Sequence, residues 1–169
     1  MSVGHLVRRF FWSLSNAAPE PVDEAWLLGL LNEREAHLYT MMSNQDRRHA
    51  IICGRAMPEL LGADVAPEII VASAMHDVGK TPARLGTVGR AIAMLLRPAM
   101  RSEDRWIAKT TPFGRMRKYT EHPSIGAEQL RGAGSAEIVV AWAREHHLGP
   151  GEWSIDAEVA HALAAADDW

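Results

Sequence analysis

Cysteine is nearly absent from this chain, and no long apolar run occurs in it. Cys53 is the single cysteine among 169 residues, which excludes a disulfide framework and a thiolate metal cage and favours a reducing compartment. No apolar stretch approaches the roughly 20 residues of a membrane-spanning helix, and residues 1–16 lack the apolar core of a signal peptide. We therefore expect a cytoplasmic protein.

Strand signals are also missing. The sequence has no sustained alternation of β-branched residues and no Asn-Gly or Asp-Gly turn. The apolar fraction of 47% excludes a disordered chain, and 13 Gly with 9 Pro exclude a fibrous one. The length fits one domain. We predict an all-α fold, a single compact helical bundle over residues 22–169, preceded by an N-terminal segment, residues 1–21.

Apolar spacing, prolines and capping residues place the helices. The first is predicted over 22–42, capped by Asp23. The second runs from 43 or 44 to 61, is kinked or interrupted at Pro58, and has Gly62 near its end. The others are predicted over 67–77 (ending at Gly79), 90–96, 103–109 (closed by Pro112 and Gly114), 123–131, 136–147 (capped by Ser135) and 155–168 (capped by Ser154).

Charge is segregated along the chain, although its net value is only -3. Residues 80–118 contain ten Lys or Arg against Glu103 and Asp104, so the remainder is strongly acidic. Such a basic stretch is typical of a surface that meets anions, and an ordinary solvated surface explains it equally well. A small phosphorylated substrate is the partner we expect, and nucleic acid is not. Peripheral membrane contact through the N-terminal segment or residues 80–118, and a homodimer, are further alternatives.

Histidines and carboxylates are the most informative residues. Imidazole and carboxylate groups bind Fe, Mn, Zn, Ni or Co, and converging helix ends would gather five or six of them around one pocket. His76 and Asp77 both fall on the apolar side of their predicted helix, where a carboxylate needs compensation by a cation or by an Arg or Lys partner. The candidates, in chain order, are His49, His76, Asp77, His122, His146, His147, Asp167 and Asp168.

The order of these residues resembles the HD superfamily of metal-dependent phosphohydrolases, over about residues 44–168. Asp46-Arg-Arg-His49 resembles its first ligand position, and His76-Asp-Val-Gly-Lys80 resembles its signature dipeptide. His122-Pro-Ser-Ile-Gly126 resembles the third element of members that retain two or more metals, and His146-His147 and Ala166-Asp167 complete the pattern.

The resemblance implies two divalent transition metal ions, Fe, Mn, Ni, Co or Zn, with Mg as a further candidate. His49, His76, Asp77 and Asp167 would hold one ion, with Asp168 as the alternative final ligand. Asp77 would bridge to a second ion held by His122 and His146, with His147 as an additional ligand. The Glu and the Gly-Tyr-Pro loop of the cyclic-dinucleotide branch are absent after His147, so a cyclic dinucleotide is not the expected substrate.

The implied activity is hydrolysis of a phosphoester of a small phosphorylated molecule, a nucleotide being the expected class, by a metal-activated hydroxide. Asp77 and Lys80 are the predicted catalytic residues. Asp77 would be shared by the two ions, and Lys80 lies one turn beyond His76 and can reach a phosphate oxygen. A favourable charge at a helix end explains Lys80 equally well. Arg84, Arg115, Arg117 and Lys118 would extend the positive field around the substrate. The alternatives are a di-iron oxygenase on the same donors and a non-catalytic nucleotide-sensing module.

Overall fold

The computed structural model describes residues 16–83, 85–86, 89, 92–93 and 111–168. These residues form helices and no strand, which confirms the all-α prediction. The helices are α1 (Pro21–Leu28), α2 (Glu33–Thr40), α3 (Asn44–Leu61), α4 (Pro67–Met75), the 3₁₀ helix η1 (Val78–Ala83), α5 (Pro112–Thr120), α6 (His122–Ala133), α7 (Glu137–Glu145) and α8 (Ala157–Asp167). In the part of the chain described here, none of the helices combines the length and the apolarity needed to cross a bilayer.

Helix α4 is the centre of the fold. It begins with Pro67 at its first position, where the missing N–H costs nothing. Its residues 70–75 are all buried, and it packs against α3, α7 and α8. One continuous core therefore runs from Leu27 of α1 to Ala166 of α8. Among the large side chains in that core are Met57 and Trp142.

The predicted helix over 22–42 is in fact two helices, and this prediction is wrong. The break falls at residues 29–32, because Asn32 accepts hydrogen bonds from the backbone of Arg34 and Glu35 while Glu35 caps the Asn32 N–H in return. This capping box starts a new helix in the middle of an apolar pattern that continues across it.

The interruption predicted at Pro58 is also absent. Helix α3 continues through Pro58 to Leu61, and the proline costs it only the hydrogen bond that residue 58 would otherwise donate to the carbonyl of residue 54. The Gly62 N–H bonds to the Pro58 carbonyl, and Gly62 ends the helix with a φ of 97°.

Several other helix boundaries differ from the prediction by a few residues. The α-helix predicted over 67–77 ends at Met75, and η1 begins at Val78. Ala136, not Ser135, is the N-cap of α7, and Asp156, not Ser154, caps α8 through its carboxylate. The predicted helices 90–96 and 103–109 fall almost entirely outside the described residues.

Helix α5 is missing from the sequence prediction, which used Pro112 and Gly114 to close a helix. In the structure Pro112 occupies the first position of α5, and the Thr111 hydroxyl accepts a hydrogen bond from the Gly114 N–H. The same residues therefore start a helix, and this helix carries Arg115, Arg117 and Lys118.

Candidate metal centre

The predicted ligands lie where helix ends converge. His76 follows α4 directly, His146 follows α7 directly, and Asp167 is the last residue of α8. His122 is the first residue of α6, and His49 lies in the first half of α3. The partial negative charges of three helix C-termini therefore point at one region, and such an arrangement favours a cation.

Two donor groups that share no residue form there, and a third set, His76, Asp77 and His146, overlaps both. The first donor group consists of His49, His76 and Asp167, and the second consists of His122, His146 and His147. Within each group one ligand atom per residue lies within 4.8 Å of the others, so either group could hold a metal ion.

Asp77 lies between the two groups. Its Oδ2 is 3.6 Å from His76 Nε2 in the first group, and its Oδ1 is 3.3 Å from His122 Nε2 and 3.8 Å from His146 Nε2 in the second. Asp167 joins the two histidines of the first group, since its Oδ1 is 3.0 Å from His49 Nε2 and 3.3 Å from His76 Nε2. All seven predicted ligands are therefore brought into one cluster, which we call the donor cluster.

Backbone hydrogen bonds orient three of the imidazoles. His76, His122 and His146 each donate an Nδ1–H to the carbonyl three residues earlier, at 2.7, 2.7 and 3.0 Å. A carbonyl only accepts, so in the neutral rings the proton is on Nδ1 and the Nε2 lone pair faces the cluster. This anchoring of the second ring nitrogen is the usual arrangement around metal-binding histidines.

The facing lone pairs fit a cation. His122 Nε2 and His146 Nε2 are 3.2 Å apart, and two acceptors at that distance repel unless a positive charge lies beside them. His76 Nε2 and Asp77 Oδ1 are buried, and their nearest polar partners, Asp167 Oδ1 and His122 Nε2, are each 3.3 Å away. Buried polar atoms of this kind require compensation, which a metal ion could supply.

Burial and charge set the protonation of the cluster. Desolvation lowers the pKa of His146 to about 2, and nearby His76 adds to the effect. Burial also opposes a charged His76, but the carboxylates of Asp77 and Asp167 outweigh it and raise the pKa of His76 to about 9. Likewise Lys80 and His76 overcome burial and hold the pKa of Asp77 well below its usual value.

His147 and Asp168 are the less buried candidates. His147 is exposed, and its ring centroid is 5.0 Å from that of His122 and 4.1 Å from that of His146. Partial desolvation and His122 lower its pKa to about 4, so its nitrogens are available to a metal at neutral pH. Asp168 is the exposed C-cap residue of α8, and Asp167 is the one that contacts the histidines.

Lys80 joins the cluster through Asp77. Its Nζ contacts Asp77 Oδ2 and lies 6.0 Å from the Tyr119 ring. The Asp77 carboxylate overcomes the burial of Lys80 and raises its pKa, so the ammonium is charged at neutral pH. A positive charge is therefore fixed beside the donor cluster.

The other predicted substrate contacts lie elsewhere. Arg117 is 4% exposed, with its Nη1 2.9 Å from Glu121 Oε1, and this pair holds α5 against the start of α6. Arg115 and Lys118 line a groove of about 670 Å³, which we call the basic groove, together with Met41, Val78, Thr81 and Gln129. None of the seven donor residues is among its described lining. Arg84 and residues 1–15 lie outside the described residues.

Cys53, the single cysteine of the chain, is a further neighbour of the donor cluster. It is fully buried; its Sγ is 3.4 Å from His49 Nε2 and donates to the Ala166 carbonyl. Burial raises the pKa of this thiol to about 12, so it remains protonated. Its spacing of four residues from His49 on one helix was the available signal, and its effect is to join α3 to the end of α8.

No family model, curated protein or solved structure matches this chain.

Proposed function

We propose that this chain is a metal-dependent phosphohydrolase of the HD superfamily, which cleaves a phosphoester of a small phosphorylated molecule such as a nucleotide. One observation carries the proposal: the two oxygens of Asp77 face different donor groups. A carboxylate placed in this way can be shared by two cations, and hydrolysis of phosphoesters commonly uses such pairs.

His49, His76 and Asp167 would hold one ion and His122, His146 and His147 the other, with Asp77 shared between them. Divalent ions bound there supply Lewis-acid charge and lower the pKa of a bound water. Imidazole and carboxylate donors without a thiolate suit Fe, Mn, Ni, Co or Zn. The anchored Nδ1–H groups would keep the Nε2 lone pairs aimed inward without any reorganisation on binding.

The chain's own residues also suit an anionic substrate. Lys80 holds its ammonium against Asp77 at the cluster, where it can pair with a non-bridging phosphate oxygen as a point charge. Helix α6 begins at His122, so its positive end adds to the field around a phosphate. The burial of His76, His122 and Asp77 keeps water away from most of the centre and strengthens these interactions.

A substrate screen tests the proposal. The purified chain would be loaded in turn with Mn, Fe, Ni and Mg and assayed on phosphomonoesters, nucleotides and cyclic dinucleotides, with Asp77→Asn as the matched control. We expect release of phosphate or nucleotide by the wild type and none by the variant. Metal binding without any phosphoester turnover would contradict the proposal, and oxygen consumption by the iron-loaded chain would then favour an oxygenase. Less than about 0.2 equivalents of tightly bound metal per chain would favour a non-catalytic sensing module.

A further inference from the structure

We propose that the basic groove is a second binding site, separate from the donor cluster, and that it takes a small organic anion with an aromatic body. The groove is bounded by the end of α2, by η1, and by α5 and α6. Its volume of about 670 Å³ lies within the range of small-molecule sites. The inference does not depend on the proposed hydrolysis.

The positively charged side chains that line the groove favour an anionic ligand. Arg115 and Lys118 are three residues apart on α5, so they project from neighbouring positions on one side of the helix. Neither forms an ion pair with a described residue, in contrast to Arg117 with its Glu121 partner. Arg115 donates its Nε–H to the Ala83 carbonyl at 2.8 Å, which fixes the guanidinium and leaves its terminal N–H groups for a ligand.

The apolar residues that line the groove favour a ligand with an aromatic ring. Met41 and Leu38 supply apolar surface, and Met41 is 53% exposed although it is large and apolar. Thioether and guanidinium groups both make favourable contacts with aromatic rings. Thr81 and Gln129 add polar side chains to the same lining.

Helix η1 separates the groove from the cluster. Val78 and Thr81 are three residues apart and share one side of this 3₁₀ helix, and both line the groove. Asp77, just before η1, and Lys80 contact each other within the donor cluster instead. Gly79 faces α6, since a Cβ there would meet the His122 carbonyl oxygen at 2.0 Å. One short helix thus contacts the basic groove, the donor cluster and helix α6.

Fluorescence titration with 8-anilinonaphthalene-1-sulfonate, an aromatic anion, tests the site on the full chain. We expect a single saturable site whose affinity is the same with added Mn²⁺ and with a chelator. The double variant Arg115→Gln/Lys118→Gln should bind about tenfold more weakly. The matched control Arg131→Gln/Arg144→Gln, which removes two exposed cations elsewhere on α6 and α7, should bind as the wild type does. Displacement by AMP, by 1-naphthoate or by inorganic phosphate then tells a nucleotide from an aromatic carboxylate and from phosphate alone.

A second variant guards against a folding artefact. Met41→Glu places a repelling charge in the groove at a position exposed enough to tolerate it, and we expect it to abolish binding. Val22→Glu, at a side chain 73% exposed on α1, is its control and should leave binding unchanged. The proposal is overturned if the Arg115/Lys118 variant binds as tightly as the wild type, if both charge variants lose affinity equally, or if phosphate alone displaces the probe as well as the aromatic anions do.

Discussion

Two adjacent aspartates at the end of α8 have very different surroundings. Asp167 Oδ1 lies within 3.3 Å of both His49 and His76, whereas Asp168 is the exposed C-cap residue. We predict that Asp167→Asn lowers metal content at least about tenfold, because a neutral amide is a much weaker ligand than a carboxylate. Asp168→Asn should retain the wild-type content. Elemental analysis after dialysis measures both, and equal loss in the two variants would refute the assignment.

His76 gives the centre a pH dependence. Its pKa of about 9 means that the metal-free ring is protonated at neutral pH, whereas a metal-bound ring is neutral. We predict that binding of Zn²⁺ at about pH 7.5 releases close to one proton from this ring and that affinity rises with pH up to about 9. His146, with a pKa of about 2, is already neutral and contributes no release.

Calorimetric titration with Zn²⁺ in two buffers of different ionisation enthalpy measures this proton. The observed heats should differ between the buffers in proportion to the proton released. Identical heats in both buffers, together with normal binding, would show that the His76 ring is neutral before the metal arrives.

At the scale of single elements, η1 and α6 meet closely enough to require glycine. A Cβ on Gly79 would lie 2.0 Å from the His122 carbonyl oxygen and 2.5 Å from the Gly126 nitrogen. We predict that Gly79→Ala lowers the free energy of unfolding by about 1–3 kcal/mol or more. It should also reduce metal content, because it must separate Asp77 from His122. Urea denaturation and elemental analysis provide the measurements.

Gly132→Ala is the control for this substitution. Gly132 lies in the same helix, α6, with nothing within 4 Å of its Cβ position. Alanine there should leave metal content unchanged and raise the free energy of unfolding by about 0.4–1 kcal/mol. If Gly79→Ala were as stable as Gly132→Ala, the close contact between η1 and α6 would be disproved.

The presence of each helix was easier to predict from the sequence than the residues at which it begins and ends. The helix that carries His49 and the helix that ends just before His146 follow from apolar spacing, because that spacing reports burial. The break between α1 and α2 does not, since the apolar pattern continues across residues 29–32 and only the hydrogen bonds of Asn32 and Glu35 reveal it. Pro112 was ambiguous for a similar reason, because a proline can follow one helix or begin the next.

For the whole molecule, the grouping of the ligands was expected from the family resemblance, whereas their distances and the surroundings of the basic residues were not. Histidine-carboxylate pairs in an apolar pattern indicate a metal, but the contact between His49 and Asp167 spans 118 residues. Only tertiary packing shows how far Asp77 lies from each donor group, and that Arg115 and Lys118 line a separate groove. These facts depend on how α5, η1 and α6 pack, which local patterns do not encode.

The donor cluster joins α3, α6 and α8 to the segments that follow α4 and α7, so bound metal should stabilise the whole fold. An ion that binds only the native chain adds about 2.7 kcal/mol to the free energy of unfolding at a concentration one hundred times its Kd. We predict that Mn²⁺ or Zn²⁺ raises the Tm, that a chelator reverses the rise, and that His122→Ala removes most of it. Ca²⁺, which prefers oxygen ligands, should have little effect and serves as the control. A Tm unaffected by any transition metal would mean that the seven side chains do not act as a metal centre, because five converging segments cannot bind an ion in the native state alone without being stabilised by it.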